Sequence, residues 1–188
     1  MHRAQSPSRK YEEYAFVLDF NSRGKSSTVR GRDGVIVTAI GEDRLTLLEI
    51  LGVPNSTFEV GEKIFIGKEG RTKILSVLGK MDYEKISSSA QSELDTVVEK
   101  IVTINESRFV DYLNNAQPLT PRIHALELIP GIGKTYMKTM LEEREQKKFE
   151  SYEDLQERVG FKEPIRHISE RIIDEITGQS RMNLFVKR

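Results

Sequence analysis

The chain has 188 residues, with 29 Lys plus Arg against 29 Asp plus Glu and so no formal net charge; that length fits one large domain or two small ones of roughly 100–150 residues. The absence of cysteine excludes disulfides, thiol catalysis, zinc ribbons and iron–sulfur clusters, and three scattered histidines (His2, His124, His167) argue against a histidine metal site. No apolar run approaches the ~20 residues of a membrane span, and Met1–Lys10 lacks the apolar stretch of a secretory signal, so a cytoplasmic protein without a membrane partner is expected.

Residues 1–10 carry Arg3, Arg9 and Lys10 with no acid and read as a disordered basic tail. Residues 11–80 read as a small β-barrel. Tyr14–Phe20 alternates, which places Tyr14, Phe16, Leu18 and Phe20 on one face of a strand. Residues 21–32 follow with four cations, Arg23, Lys25, Arg30 and Arg32, no acid, and Gly and Ser between them. Val35–Ile40 and Leu45–Leu51 are joined through Gly41–Arg44 as one hairpin. Lys63–Ile66 and Lys73–Leu78, joined through Lys68-Glu69-Gly70-Arg71, read as a second. Five short strands are too few for a sandwich and suit a small closed or half-closed barrel. A five-stranded barrel with a basic first loop resembles the OB-fold, in which that loop often helps grip oligonucleotides; an SH3-like barrel also has five short strands.

From Ser88 the period becomes helical, with Leu94, Val97, Val98, Ile101 and Ile104 on one face and Ser92 and Asp95 as a capping pair. Phe109, Val110 and Leu113 mark a second helix. Residues 81–115 hold three basic and seven acidic groups, so residues 81–117 read as an acidic helical linker. Thr120 with Pro121 predicts a helix start, and Pro130 requires that helix to have ended. Further helices are expected over Lys134–Lys148, from Ser151 with Asp154 to near Gly160, and from Pro164 to Gly178. The fold class is therefore α+β: a five-stranded OB-like barrel, a helical linker, a helical domain over 118–178 and a tail over 179–188.

The segment Leu126–Lys138 carries the chemistry. It is not a phosphate-binding P-loop, because Leu128 stands where the first glycine is needed. It is not a dinucleotide fingerprint either, because Tyr136 replaces the third glycine. What remains is helix, Pro130-Gly131-Ile132-Gly133, helix, which resembles the helix-hairpin-helix motif. Gly131 and Gly133 let a phosphate approach the backbone, Ile132 plugs the core, and the first turn of the next helix offers unpaired N–H groups at Gly133, Lys134 and Thr135. Lys134 and Lys138 add two cations one turn apart. Residues 149–177 resemble a second, degenerate copy whose hairpin, Gly160–Pro164, carries Glu163 and suits packing, with Lys162 and Arg166 as auxiliary contacts.

Tyr14–Asp19, Gly61–Gly67 and Glu127–Lys134 resemble an uncharacterised, mainly archaeal domain-of-unknown-function family across nearly its full length. That resemblance implies nucleic-acid binding, RNA above DNA, and no assigned reaction. Sequence is not read by a phosphate site, so backbone binding without sequence specificity is expected. The alternative is a protein-interaction adaptor in a ribosome-, transcription- or repair-associated complex, with the acidic segment as its surface. No catalytic set emerges. His124 and His167 read as surface or capping residues, Glu142, Glu143 and Glu145 sit on charged helix faces, and no cofactor or metal is called for.

Overall fold

The computed structural model describes residues 11–22 and 33–188. The expectations for the tail at 1–10 and for the basic loop with Arg23, Lys25, Arg30 and Arg32 lie outside them. The chain divides into two compact units, residues 1–94 with 185–188 and residues 95–184.

The first unit is a half-barrel of five antiparallel strands: β1 (Tyr14–Asn21), β2 (Val35–Gly41), β3 (Leu47–Gly52), β4 (Lys63–Phe65) and β5 (Ile74–Lys80), in the order β4-β1-β2-β3-β5. Its core gathers Ala15, Val17, Val35, Val37, Ala39, Ile50, Phe58 and Ile64. The register of β1 on β2 slips between Val17 and Asp19. That bulge corrects the expected face. Val17 pairs with Ala39 and Phe20 with Val37, so Phe20 leaves the side of Phe16 and reaches the core ring of Phe58, at 6.3 Å between centroids. Phe16 and Leu18 are wholly buried.

The Gly41–Arg44 hairpin forms as expected, with Glu12 accepting the Asp43 and Arg44 N–H groups at 2.9 and 2.6 Å. The second expected hairpin does not form. β4 pairs with β1 and β5 with β3, at opposite edges of the sheet. Arg71 holds the connection open instead, donating to the carbonyls of Gly67, Leu75 and Ile66 at 2.8, 3.1 and 3.1 Å and so satisfying groups that a ladder would otherwise take. A 3-10 turn (Tyr83–Lys85) leads to α1 (Ser88–Ile104). Ser87, not Ser92, is the cap: its Oγ accepts from Ala90 N–H at 3.1 Å and donates to Asp19 at 2.6 Å. The terminal segment expected as a tail also belongs to this unit, with Phe185 and Val186 buried and Lys187 N–H donating to the Arg44 carbonyl at 3.0 Å.

The second unit contains the rest of α1, α2 (Glu106–Asn115), α3 (Lys134–Gln146), α4 (Tyr152–Val159) and α5 (Pro164–Ile176). Val97, Val98, Ile101, Phe109, Val110 and Leu113 are all buried, so the apolar face of the segment expected as a linker is core. The helix expected from Pro121 is replaced by a tight turn. Thr120 Oγ1 accepts from both Arg122 and Ile123 N–H, as a cap would, but the chain folds back on itself: Leu119 and Thr120 N–H both donate to the Ile123 carbonyl, at 2.8 and 3.1 Å, and Pro118 bridges to His124, so no α-helical turn follows. Only a 3-10 segment, Ala125–Leu128, follows. It is capped by His124, whose Nδ1 accepts from Leu126 N–H at 3.1 Å, while Glu127 Oε2 accepts from His124 N–H at 2.8 Å, a reciprocal capping box.

Backbone ends in this unit are closed by side chains. Asn114 exchanges two hydrogen bonds with the backbone of Phe149, at 2.9 and 2.8 Å. Arg144 donates to the Leu113 carbonyl at 3.0 Å. Arg158 donates to the carbonyls of Glu143 and Lys147 at 2.7 and 2.6 Å and lies 4.6 Å over the Phe149 ring. The two arginines satisfy carbonyls at the ends of α2 and α3.

Candidate nucleic-acid interface

The hairpin between the 3-10 segment and α3 is built by three consecutive residues. Ile132 is buried at 4 % exposure, and its N–H donates to the Ile129 carbonyl at 3.1 Å. Gly131 and Gly133 flank it and are exposed. Gly131 has φ +83°, a left-handed conformation that favours glycine. A second constraint acts on it, because a Cβ there would stand 2.7 Å from Cε1 of His167. Gly133 is different: it has φ −85° at the helix cap, and a Cβ would meet nothing within 4 Å. Glycine is thus required at 131 by conformation and packing, while at 133 it leaves the backbone bare.

Gly133 caps α3 without a side-chain acceptor. Its carbonyl accepts from Met137 N–H at 3.0 Å, so the N–H groups of Lys134, Thr135 and Tyr136 begin the helix with no intrahelical partner. These groups and the positive end of the helix dipole face a surface that suits an oxyanion. Lys134, Thr135 and Lys138 are all exposed beside it. Lys134 Nζ lies 3.7 Å from Glu127 Oε1, so the glutamate that closes the capping box also faces this cation. Five of the six expected hairpin residues are therefore exposed together at one helix start, and the sixth, Ile132, holds them from below.

The second hairpin repeats the backbone and not the charge. Gly160 has φ +78° and Phe161 is buried at 2 %, matching Gly131 and Ile132. One residue more intervenes before α5, and Glu163 adopts φ +53° at its cap. Arg166, expected as an auxiliary contact, pairs with Glu163 at 3.4 Å and Glu170 at 3.2 Å. The two hairpins meet through rings: Tyr136 packs on Phe161 at 5.5 Å, Phe161 on His167 at 5.0 Å, and His167 under Gly131.

Residues that the sequence reading did not single out hold this arrangement. Arg171 and Glu175 form a buried pair at 2.9 Å, exposed by 7 % and 1 %. The same guanidinium donates to the carbonyls of Leu128, at 3.2 Å, and Met182. Leu128 lies two residues before Pro130, so Arg171 fixes the entry to the hairpin. Burial, with the Glu175 charge nearby, pushes the Tyr112 hydroxyl up to about 12. The i,i+4 spacing of Arg171 and Glu175 was the available signal. Among the described residues no cluster of three or more His, Asp or Glu could hold a metal ion, and no helix is long and apolar enough to cross a membrane.

Residues 11–187 match the family described as "Protein of unknown function (DUF655)". An uncharacterized protein of Methanocaldococcus jannaschii, MJ0038, is 43 % identical over 181 residues, covering 95 % of this chain and 82 % of its own. The crystal structure of Af1531 from Archaeoglobus fulgidus, of the same family, superposes with a TM-score of 0.81 at 36 % identity, over 94 % of this chain and 100 % of that one. On sequence and fold alike, the chain belongs to the DUF655 family.

Proposed function

We propose that this protein binds nucleic acid, with RNA as the expected form, by holding the phosphate backbone at the start of α3. One observation carries the reading. Gly133 leaves the backbone bare beside the buried Ile132 plug, with Gly131 exposed on its other side, at an uncapped helix start flanked by exposed Lys134, Thr135 and Lys138. N–H groups and two cations supply what a phosphodiester needs. Nothing in the arrangement reads a base edge, so binding is independent of sequence. The reading assigns the protein no reaction of its own.

Salt titration of binding tests it. If Lys134, Lys138 and the cations Arg23, Lys25, Arg30 and Arg32 together neutralise roughly four to six phosphates, log affinity falls against log salt with a slope of about −3 to −5. Labelled RNA and DNA of equal length, measured side by side, decide the preference. A slope near zero with both removes the proposal.

A second reading, an adaptor for a basic protein segment, rests on a groove in the second unit lined by Asp95, Glu99, Glu170 and Asp174 with Arg166 among them. A protein partner retained after nuclease digestion, and released when Asp95 and Glu99 are neutralised, would favour it.

A further inference from the structure

The half-barrel is open between β4 and β5, and that opening is a cleft of about 910 Å³, within the ~300–1,000 Å³ range of small-molecule sites. Leu48 and Ile66, members of the barrel core, and Val77, which packs against it, line the cleft. Cations dominate its polar lining. Arg44, Lys68, Arg71 and Lys80 stand against Glu12 and Glu13, and both Glu12 oxygens are engaged by the N–H groups of Asp43 and Arg44. The Arg71 guanidinium donates to three carbonyls, which orient it without neutralising its charge. Among the described residues no carboxylate lies within ion-pair distance of Lys68, Arg71 or Lys80.

One further group narrows the ligand. Tyr11, 64 % exposed, lines the same cleft with Lys68 Nζ 5.2 Å from its ring centroid. A fatty acid would suit the apolar floor, yet it would bring only one carboxylate to three cations. An inorganic anion would leave the floor and the Tyr11 ring uncovered. A flat heterocycle bearing phosphate satisfies all of them.

We propose that this cleft is a nucleotide site. Lys68, Arg71 and Lys80 meet the phosphate, and Tyr11 and the apolar floor take the base. The shared chemistry is that of a free nucleotide and of an unpaired nucleotide in a strand. The site lies entirely in the first unit and does not depend on the α3 hairpin.

The test is amide-shift mapping of the full chain during titration with adenosine monophosphate and, separately, with inorganic phosphate. Shifts are expected at Gly67, Lys68, Ser76 and Val77, saturating at concentrations at least ten-fold lower with the nucleotide. Lys68→Ala with Lys80→Ala should weaken nucleotide binding at least ten-fold. Lys134→Ala with Lys138→Ala should leave it unchanged, which separates this site from the hairpin. Displacement of the nucleotide by a single-stranded hexanucleotide identifies a strand as the source; failure of the hexanucleotide to displace it identifies a free nucleotide. Equal saturation by phosphate and nucleotide, no shift in the cleft, or insensitivity to the Lys68 and Lys80 changes would overturn the proposal.

Discussion

Replacing Lys134 and Lys138 with alanine isolates what the hairpin contributes to binding. Lys138 is exposed and makes no ion pair among the described residues, so its loss should remove one phosphate contact outright. Lys134 is also exposed but shares its charge with Glu127 at 3.7 Å, and engaging a phosphate means competing with that carboxylate. Each neutralised phosphate contributes about 0.7–0.9 to the salt slope. The double variant should therefore flatten the slope by about 1–2, with part of the affinity retained, because the α3 N–H groups survive side-chain truncation.

Glu127→Gln gives the opposite sign from the same geometry. Glutamine keeps an oxygen to accept from His124 N–H, so the capping box persists, while the charge facing Lys134 disappears. A pair with an exposed lysine and a half-buried glutamate is worth about 0.2–1 kcal/mol, which converts to about 1.4- to 5-fold tighter binding at low salt. Fluorescence anisotropy with labelled RNA at several salt concentrations reads both variants. An unchanged slope in the double alanine variant, or weaker binding by Glu127→Gln at unchanged melting temperature, refutes the placement of phosphate at this helix start.

The two hairpin glycines should separate stability from binding. Gly131→Ala combines a left-handed φ with a 2.7 Å approach to His167, which costs about 2 kcal/mol or more; Gly133→Ala, with its Cβ in open space, should stay within about 1 kcal/mol and still weaken binding where the phosphate approaches. Thermal melts beside anisotropy test both, and equal melting losses would undo the assignment. His124 is held below its usual 6.5 by burial, then by the Arg144 charge, so the fold favours its neutral form. The stability this supplies is complete above pH 6.5 and lost as pH falls through the depressed folded value, when the unfolded chain takes up a proton first. Asparagine at 124 should keep a capping acceptor and flatten the melting temperature between pH 7 and pH 5; an unaltered acid profile would exclude His124 as its source. Arg171→Met should cost about 3–5 kcal/mol by removing the cation paired with the buried Glu175, and melting of the Arg171→Met/Glu175→Leu double variant should recover much of that loss.

The sequence made the hairpin legible because its signals are local. Gly131, Ile132 and Gly133 each act through their own backbone or one burial, and Ser151 caps α4 by accepting from Asp154 N–H at 3.0 Å, three residues away. The same holds for Pro164 at the start of α5. The failures are tertiary choices between locally equal options. Gly70 with φ +84° would serve a hairpin or an open loop; Arg71, reaching three carbonyls, decides for the loop. Thr120 before Pro121 is a sound helix cap, and its hydroxyl accepts from Arg122 and Ile123, but the chain folds back at Ile123 and bridges Pro118 to His124 instead of continuing as a helix. Alternation in β1 is correct up to Val17 and reverses at the bulge, which no period-two pattern contains.

Charge was the least legible property, for a physical reason that bears on function. Arg71, Arg144, Arg158 and Arg171 look in the sequence like members of solvated, mixed-charge surfaces. In the fold each donates to backbone carbonyls, closing helix ends or holding a loop. Arginine suits this task because its planar fork reaches several oxygens at once. The basic residues left exposed at the hairpin, Lys134 and Lys138, are lysines, with one mobile charge each and little to hold them. In the second unit net charge therefore counts two populations together: arginines that complete the fold, and the hairpin lysines placed where an anion can reach them. Only the second should respond to salt, so substitutions of Arg144 and Arg158 should move melting temperature and substitutions of Lys134 and Lys138 should move affinity.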